Sequence, residues 1–186
     1  MQIDRNTYGD ITLSQEAYCK RLLKQFNITS YSPATTPLPP GIILSIEDCP
    51  ATPDEENKMK DTLFWKALGL LMWLQVTTRL DLAFSVNILA RFAHNPGKAH
   101  WNTLKHILAY VQGTKYYGIT YKGSSSLELI KYIDFNYTGY KDTRQSTKGN
   151  IFLVAGGPIS WECKRQDTVA LSTIEAEFMA FLKATT

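Results

Sequence analysis

LELIKYIDFNYTG, residues 127–139, and ALSTIEAEF, residues 170–178, carry the two carboxylates around which the second half of the chain is organised. The first stretch reads as a strand over 127–135. Leu129, Ile133 and Phe135 point one way; Ile130, Tyr132 and Asp134 point the other. A strand apolar on both faces belongs in the middle of a sheet, and this one ends on Asp134. The second stretch opens a helix. Ser172 fits its N-cap and Glu175 fits the capping box that bonds back to it, which gives Glu175 a structural role. Ile174, Phe178, Phe181 and Leu182 form the apolar stripe, and Glu177 borders it. A carboxylate there leans over a sheet edge, with Asp134 as its natural partner. Two such charges at close range need a proton or a divalent cation between them. Spacing alone leaves the ordinary alternative standing, because a strand-end Asp and a helical Glu also serve as caps or solvated charges.

Working outward, 150–154 and 159–163 read as two further strands around the turn Ala155-Gly156-Gly157-Pro158. That turn is a hairpin and not a phosphate loop, since no Walker or dinucleotide pattern surrounds it. Three strands and one helix leave open sheet edges, so further elements are expected beyond Thr186. Gly123-Ser124-Ser125-Ser126 reads as a flexible joint after a short strand at 117–121.

Upstream the period is helical. Residues 62–77 repeat Phe64, Leu68, Leu71, Met72 and Gln75 on one side. A second helix starts at Asp81, with Ala83, Val86, Ala90 and Ala93 on a face, and stops at Asn95-Pro96-Gly97. A third runs over 97–112 with Trp101, Leu104, Leu108 and Val111. Short connectors make them neighbours in a bundle, with their aromatic and Met positions expected in the core. Residues 1–4 and 10–13 read as two strands around a turn at 6–9. Ser14 reads as the N-cap of a helix through Phe26, with Tyr18, Leu22 and Phe26 on its apolar face. Four prolines in SPATTPLPPG and the acids that follow make 31–61 an exposed connector.

Three scattered cysteines (Cys19, Cys49, Cys163) form no C-x-x-C pair, which argues against a disulfide framework or a zinc site. No apolar run reaches the length of a membrane span, and no leader is evident, so an intracellular location is expected. The net charge is only +3, but acids gather in 47–61, and none occurs from Leu82 to Leu127. Arg91, Lys98, Lys105, Lys115 and Lys122 lie in that acid-free stretch, as do His94, His100 and His106. A polyanion-facing surface needs such a stretch, although a solvated helical face fits the charges equally well. The histidines lack a carboxylate or cysteine at ligand spacing and read as surface or packing residues.

LSQEAY at 13–18, TPL at 36–38, TTRLDLA at 77–83, RF at 91–92, NPG at 95–97, HW at 100–101 and GT at 113–114 occur in that order. Together they resemble the end of the reverse transcriptase of copia-type LTR retrotransposons and the segment joining it to ribonuclease H. YIDFNYTG at 132–139, RQSTKG at 144–149, ISW at 159–161 and ALSTIEAEF at 170–178 resemble the first half of that element's ribonuclease H. The resemblance spans essentially the whole chain. It implies an α+β architecture in four parts. These are the end of the palm hairpin and its following helix at 1–30, the Pro-rich acidic connector at 31–61, a helical thumb- and connection-like bundle at 62–122, and a truncated ribonuclease H-like domain of three strands and one helix at 127–186.

The same resemblance makes Asp134 and Glu177 catalytic, metal-ligating carboxylates. They would be two of the four that hold two Mg²⁺ ions for attack of water on the RNA strand of an RNA–DNA hybrid. Asn136 stands where the family has an aspartate, and Leu80 where it has a proline. The polymerase aspartates would lie upstream of Met1.

Three expectations follow. In the first, the chain is a piece of a Pol polyprotein whose ribonuclease H uses Mg²⁺, and it has little activity alone. In the second, it binds template–primer or RNA–DNA hybrid without chemistry, through Arg91, Lys98, Lys105 and Lys115, with Arg144 and Lys148 in the loop after Asp134. In the third, it is a decayed copy of the element. The implied partners are nucleic acid and the rest of the Pol polyprotein, not a membrane. The implied location is the cytoplasm, a virus-like particle or the nucleus.

Overall fold

The computed structural model describes residues 1–136, 142 and 147–165, and over these it mixes helices with two three-stranded sheets, an α+β chain. By internal packing the residues form two compact units, Met1–Ile3 with Leu13–Ile119, and Asp4–Thr12 with the residues from Thr120 on.

The first sheet is ordered β1 (Gln2–Arg5), β2 (Ile11–Ser14), β3 (Gly118–Tyr121). The β1–β2 turn closes because the Asn6 side-chain oxygen accepts from the amides of Tyr8 (3.0 Å) and Asp10 (2.9 Å). Ser14 belongs to β2, so the expected N-cap shifts by one. Gln15 precedes α1 (Glu16–Gln25) without a side-chain cap and instead donates to the Thr77 hydroxyl at 2.8 Å.

Five helices make the first unit: α1, α2 (Pro53–Lys60), α3 (Phe64–Thr77), α4 (Ala83–Ala90) and α5 (Lys98–Gly113). Their shared core holds Leu22 and Leu23 from α1, Phe64, Leu68, Leu71 and Leu74 from α3, and Leu89 from α4. From α5 come Leu104, Ile107, Leu108 and Val111. Each fully buried Leu or Ile contributes about 1.5–3 kcal/mol.

The expected stripes hold in part. On α3, Met72 is 45% exposed, while Trp65 and Trp73 are 58% and 57% exposed. The inward positions are Phe64, Ala67, Leu68, Leu71 and Leu74, so the stripe is rotated away from Met72. On α4 the buried set is Ala83, Ser85, Val86 and Leu89; the helix ends at Ala90, and Ala93 lies past it.

The expected exposed connector is in fact partly folded. Leu44 and Ser45 are buried, Ile46–Asp48 makes a 3₁₀ turn, and Thr52 caps α2 in a capping box with Glu55. Gly97, at the N-terminus of α5, lies so close to this segment that a Cβ there would run into the Asp48 carbonyl oxygen.

The second unit holds an antiparallel sheet ordered β4 (Ile130–Asn136), β5 (Thr147–Val154), β6 (Gly157–Arg165). The turn between β5 and β6 puts Ala155 (φ 51°) and Gly156 (φ 75°) in the left-handed region, as a tight hairpin needs. A register irregularity at Phe152/Leu153 places Pro158 opposite Leu153, where a bulge tolerates proline. Among the described residues β5, not β4, is the central strand, which departs from the expectation drawn from β4's two apolar faces. Leu127 and Leu129 lie before the strand and are exposed.

Candidate functional site

Asp134 sits near the end of β4, exposed and directly opposite Gly149 of β5, which in turn pairs with Cys163 of β6. The glycine carries no side chain, so the carboxylate has an open flank. Burial, together with the neighbouring Glu162 charge, pushes the Cys163 thiol up to about 11. That keeps it protonated and a poor ligand at neutral pH. Pleat alternation puts Lys148 on the other side of the sheet from Asp134. There its ammonium meets Glu162 at 3.4 Å, and Glu162 also accepts from Asn150 at 3.2 Å. Glu177, Ser172, Glu175 and Arg144 lie outside the described residues.

The cations of the first unit are arranged around aromatic rings. On α5, Lys98, Trp101 and Lys105 fall at i, i+3 and i+7, and the Lys105 ammonium stands 6.0 Å from the Trp101 ring centroid. Lys115 stands 5.2 Å from the ring of Tyr116, which is exposed, and the half-buried Arg91 lies 5.5 Å from that of Phe92. Lys122 pairs with Asp10 at 3.1 Å in the second unit.

The histidines divide. His94 is exposed, and His106 Nε2 donates to the Thr36 carbonyl at 2.9 Å. His100 is fully buried, stacked on Phe92 at 4.2 Å, with Nδ1 accepting from the Gly97 amide. Burial holds its pKa below the ordinary imidazole value, against a smaller opposing pull from Asp48.

Between Thr62 and Leu127 the sequence has one acid, Asp81, against seven Lys and Arg. That acid is engaged by Arg79, which is 1% exposed. The guanidinium donates to both Asp81 oxygens (3.0 and 2.8 Å), to the Thr114 carbonyl (3.0 Å) and to the Thr114 hydroxyl (2.6 Å). Tyr110 donates to the same Asp81 carboxylate at 3.0 Å, and the Tyr110 and Tyr117 rings flank the guanidinium. Burial opposes the charge on Arg79, but the hydrogen bond and field of Asp81 outweigh it and hold the guanidinium above its ordinary pKa.

The chain is 40% identical over 178 residues, 96% of its length, to the retrovirus-related Pol polyprotein from transposon TNT 1-94 of Nicotiana tabacum. It is 36% identical over 89% of its length to that from transposon RE1 of Arabidopsis thaliana. The chain belongs to the retrovirus-related Pol polyproteins of transposons. It spans 13% and 11% of those two relatives. It is also 42% identical over 68% of its length to secreted RxLR effector protein 161 of Plasmopara viticola, covering 89% of that protein. No protein-family model matches the chain, and no solved structure matches it significantly.

In this Pol chain the buried Arg79 site is what reasoning from the residues passed over. Its signal was present, because TTRLDLA and GT are two of the blocks that carry the resemblance, and the structure joins them through Arg79 and Thr114. The candidate metal site has a different standing. A carboxylate on a strand suits Mg²⁺, but among the described residues no three His, Cys, Asp or Glu side chains gather as ligands. Of the two carboxylates expected to hold metal, only Asp134 lies among the described residues. Among them, too, no helix is long and apolar enough to cross a membrane.

Proposed function

We propose that the first unit of this Pol chain holds nucleic acid, template–primer or RNA–DNA hybrid, in the manner of a reverse transcriptase thumb and connection. The second sheet then opens a ribonuclease H-like domain in which Asp134 is a metal-ligating carboxylate. The observation that carries the reading is the single acid between Thr62 and Leu127, locked onto buried Arg79. Of the remaining cations, Lys122 pairs with Asp10, and Lys98, Lys105 and Lys115 meet no carboxylate of the same stretch. Lys98, Lys105 and Lys115 meet phosphates as mobile point charges, and their aromatic neighbours add faces on which bases or sugars rest.

In this reading the chain's residues bind and orient the polymer. Bound Mg²⁺ would supply activation of water and charge stabilisation at the phosphodiester, with Asp134 and Glu177 among its ligands. Fluorescence anisotropy with an RNA–DNA hybrid at rising salt tests the binding reading. Affinity is expected to fall linearly on a log–log plot, and affinity indifferent to salt would overturn it. Incubation of the same hybrid with Mg²⁺ tests the second part. The isolated chain is expected to cleave little or not at all, and robust cleavage abolished by Asp134→Asn would show that it carries a working site.

A further inference from the structure

α3 is apolar all the way round: of its 14 residues only Lys66 is charged. A helix of that composition is normally enclosed on every side. Here one side fills the core through Phe64, Ala67, Leu68, Leu71 and Leu74. The opposite side carries Trp65, Gly69, Met72, Trp73 and Val76 at i, i+4, i+7, i+8 and i+11, and all five are exposed. The face is held in shape from behind. Trp65 makes an edge contact with buried Phe64, their ring centroids 6.5 Å apart. α1 braces a flank, where Tyr18 donates to the Leu70 carbonyl at 3.0 Å and Gln15 to the Thr77 hydroxyl.

Gly69 lies midway between the two indoles. Glycine inside a helix is destabilising relative to alanine. Nothing in the chain's own packing asks for it, because a Cβ there would meet no atom within 4 Å. A side chain left out on the outer face suits a backbone that approaches from outside.

We infer that this face of α3 pairs with the same face of a second copy of the chain. Antiparallel helices related by a two-fold axis at Gly69 bring glycine against glycine, the closest approach two helices can make. Trp65 and Trp73 each stand four residues from Gly69. Trp65 therefore meets Trp73 of the partner subunit, and the exchange is reciprocal, as an isologous contact requires. An indole side chain of about 250 Å² that is 58% exposed, as at Trp65, offers roughly 140 Å², and Trp73 offers as much. With Met72, Val76 and the stem of Lys66, two copies bring together on the order of 1,000 Å², the small end of the range for specific interfaces. The face has one cation, at its edge, and no acid, so it offers little to a phosphate backbone. The lysines of the nucleic-acid surface proposed above lie on and after α5, not on α3.

The test is sedimentation equilibrium of the full chain over a concentration series reaching about 100 μM, where an interface of this size should form. A reversible monomer–dimer equilibrium is expected. Gly69→Leu, whose side chain enters open space in the monomer, should weaken the dimer about tenfold or more, and Trp65→Ala/Trp73→Ala by a similar factor. At concentrations where the wild type is monomeric, Gly69→Leu should unfold no earlier than the wild type. If the double tryptophan variant fails to fold by circular dichroism, Gly69→Leu decides. A chain that stays monomeric throughout, or a dimer that neither variant weakens, overturns the inference. RNA–DNA hybrid titrations at monomer concentrations separate the remaining occupant: Gly69→Leu should match the wild type there. Hybrid binding present in the wild type and lost in Gly69→Leu would assign the face to nucleic acid and overturn the inference as well.

Discussion

The two units treat their charged residues in opposite ways. In the first, Arg79 is enclosed: Asp81 and Thr114 accept from its guanidinium, and two tyrosine rings flank it. In the second, Asp134 stands exposed on a strand opposite a glycine. Both belong to sequence blocks of the same Pol resemblance, yet one block serves packing and the other leaves a carboxylate accessible. A shared motif therefore says that a residue is needed, and burial says for what.

Substitutions break or sharpen this contrast. The largest effect is expected at Asp81→Ala, which strands a buried guanidinium without its carboxylate and should cost about 3–5 kcal/mol in urea unfolding. Asp134→Asn, on the exposed strand, should stay within about 0.5 kcal/mol in the same assay. A cost at Asp134 equal to that at Asp81 would erase the distinction. Next is Gly97→Ala, whose new methyl meets the Asp48 backbone. Overpacking of this kind costs about 1–3 kcal/mol, and amide exchange over residues 45–61 should accelerate as the connector lifts. In the second unit, Ala155→Gly relieves a left-handed alanine and should stabilise the chain by up to about 1 kcal/mol.

The smallest effect is the pH response of His100. Its folded pKa lies below the unfolded value, so the native state binds fewer protons and stability rises with pH. The contribution is complete above the unfolded pKa, about 6.5, and is lost progressively as the pH falls below it. The difference in midpoint between the wild type and His100→Gln should shrink on acidification. A constant difference would show that His100 does not carry the dependence.

Much of the first unit was legible in the sequence because helical periodicity reports burial directly. Phe64, Leu68, Leu71, Leu104, Leu108 and Val111 all lie in the core. The reading failed where an apolar residue is not buried: Met72 shares a stripe with core positions by spacing alone. It failed again in the connector, since prolines exclude a long helix but not a short capped one after Thr52. Arg79 escaped notice because its partner Thr114 is 35 residues away, and no local pattern encodes a contact of that separation. At the second site, position on a strand was readable for Asp134. Its being opposite Gly149 was not, because pairing register is not written in a strand's own residues.

The central claim is that the first unit binds nucleic acid through Lys98, Lys105 and Lys115, in a stretch whose single acid, Asp81, is engaged by Arg79. Salt-dependent hybrid binding of the wild type and of the triple variant Lys98→Gln/Lys105→Gln/Lys115→Gln measures it most directly. The account predicts a log–log salt slope shallower by nearly one for each lysine removed that contacts phosphate, with weaker binding at low salt and unchanged unfolding. Identical slopes and affinities for the two proteins would contradict it.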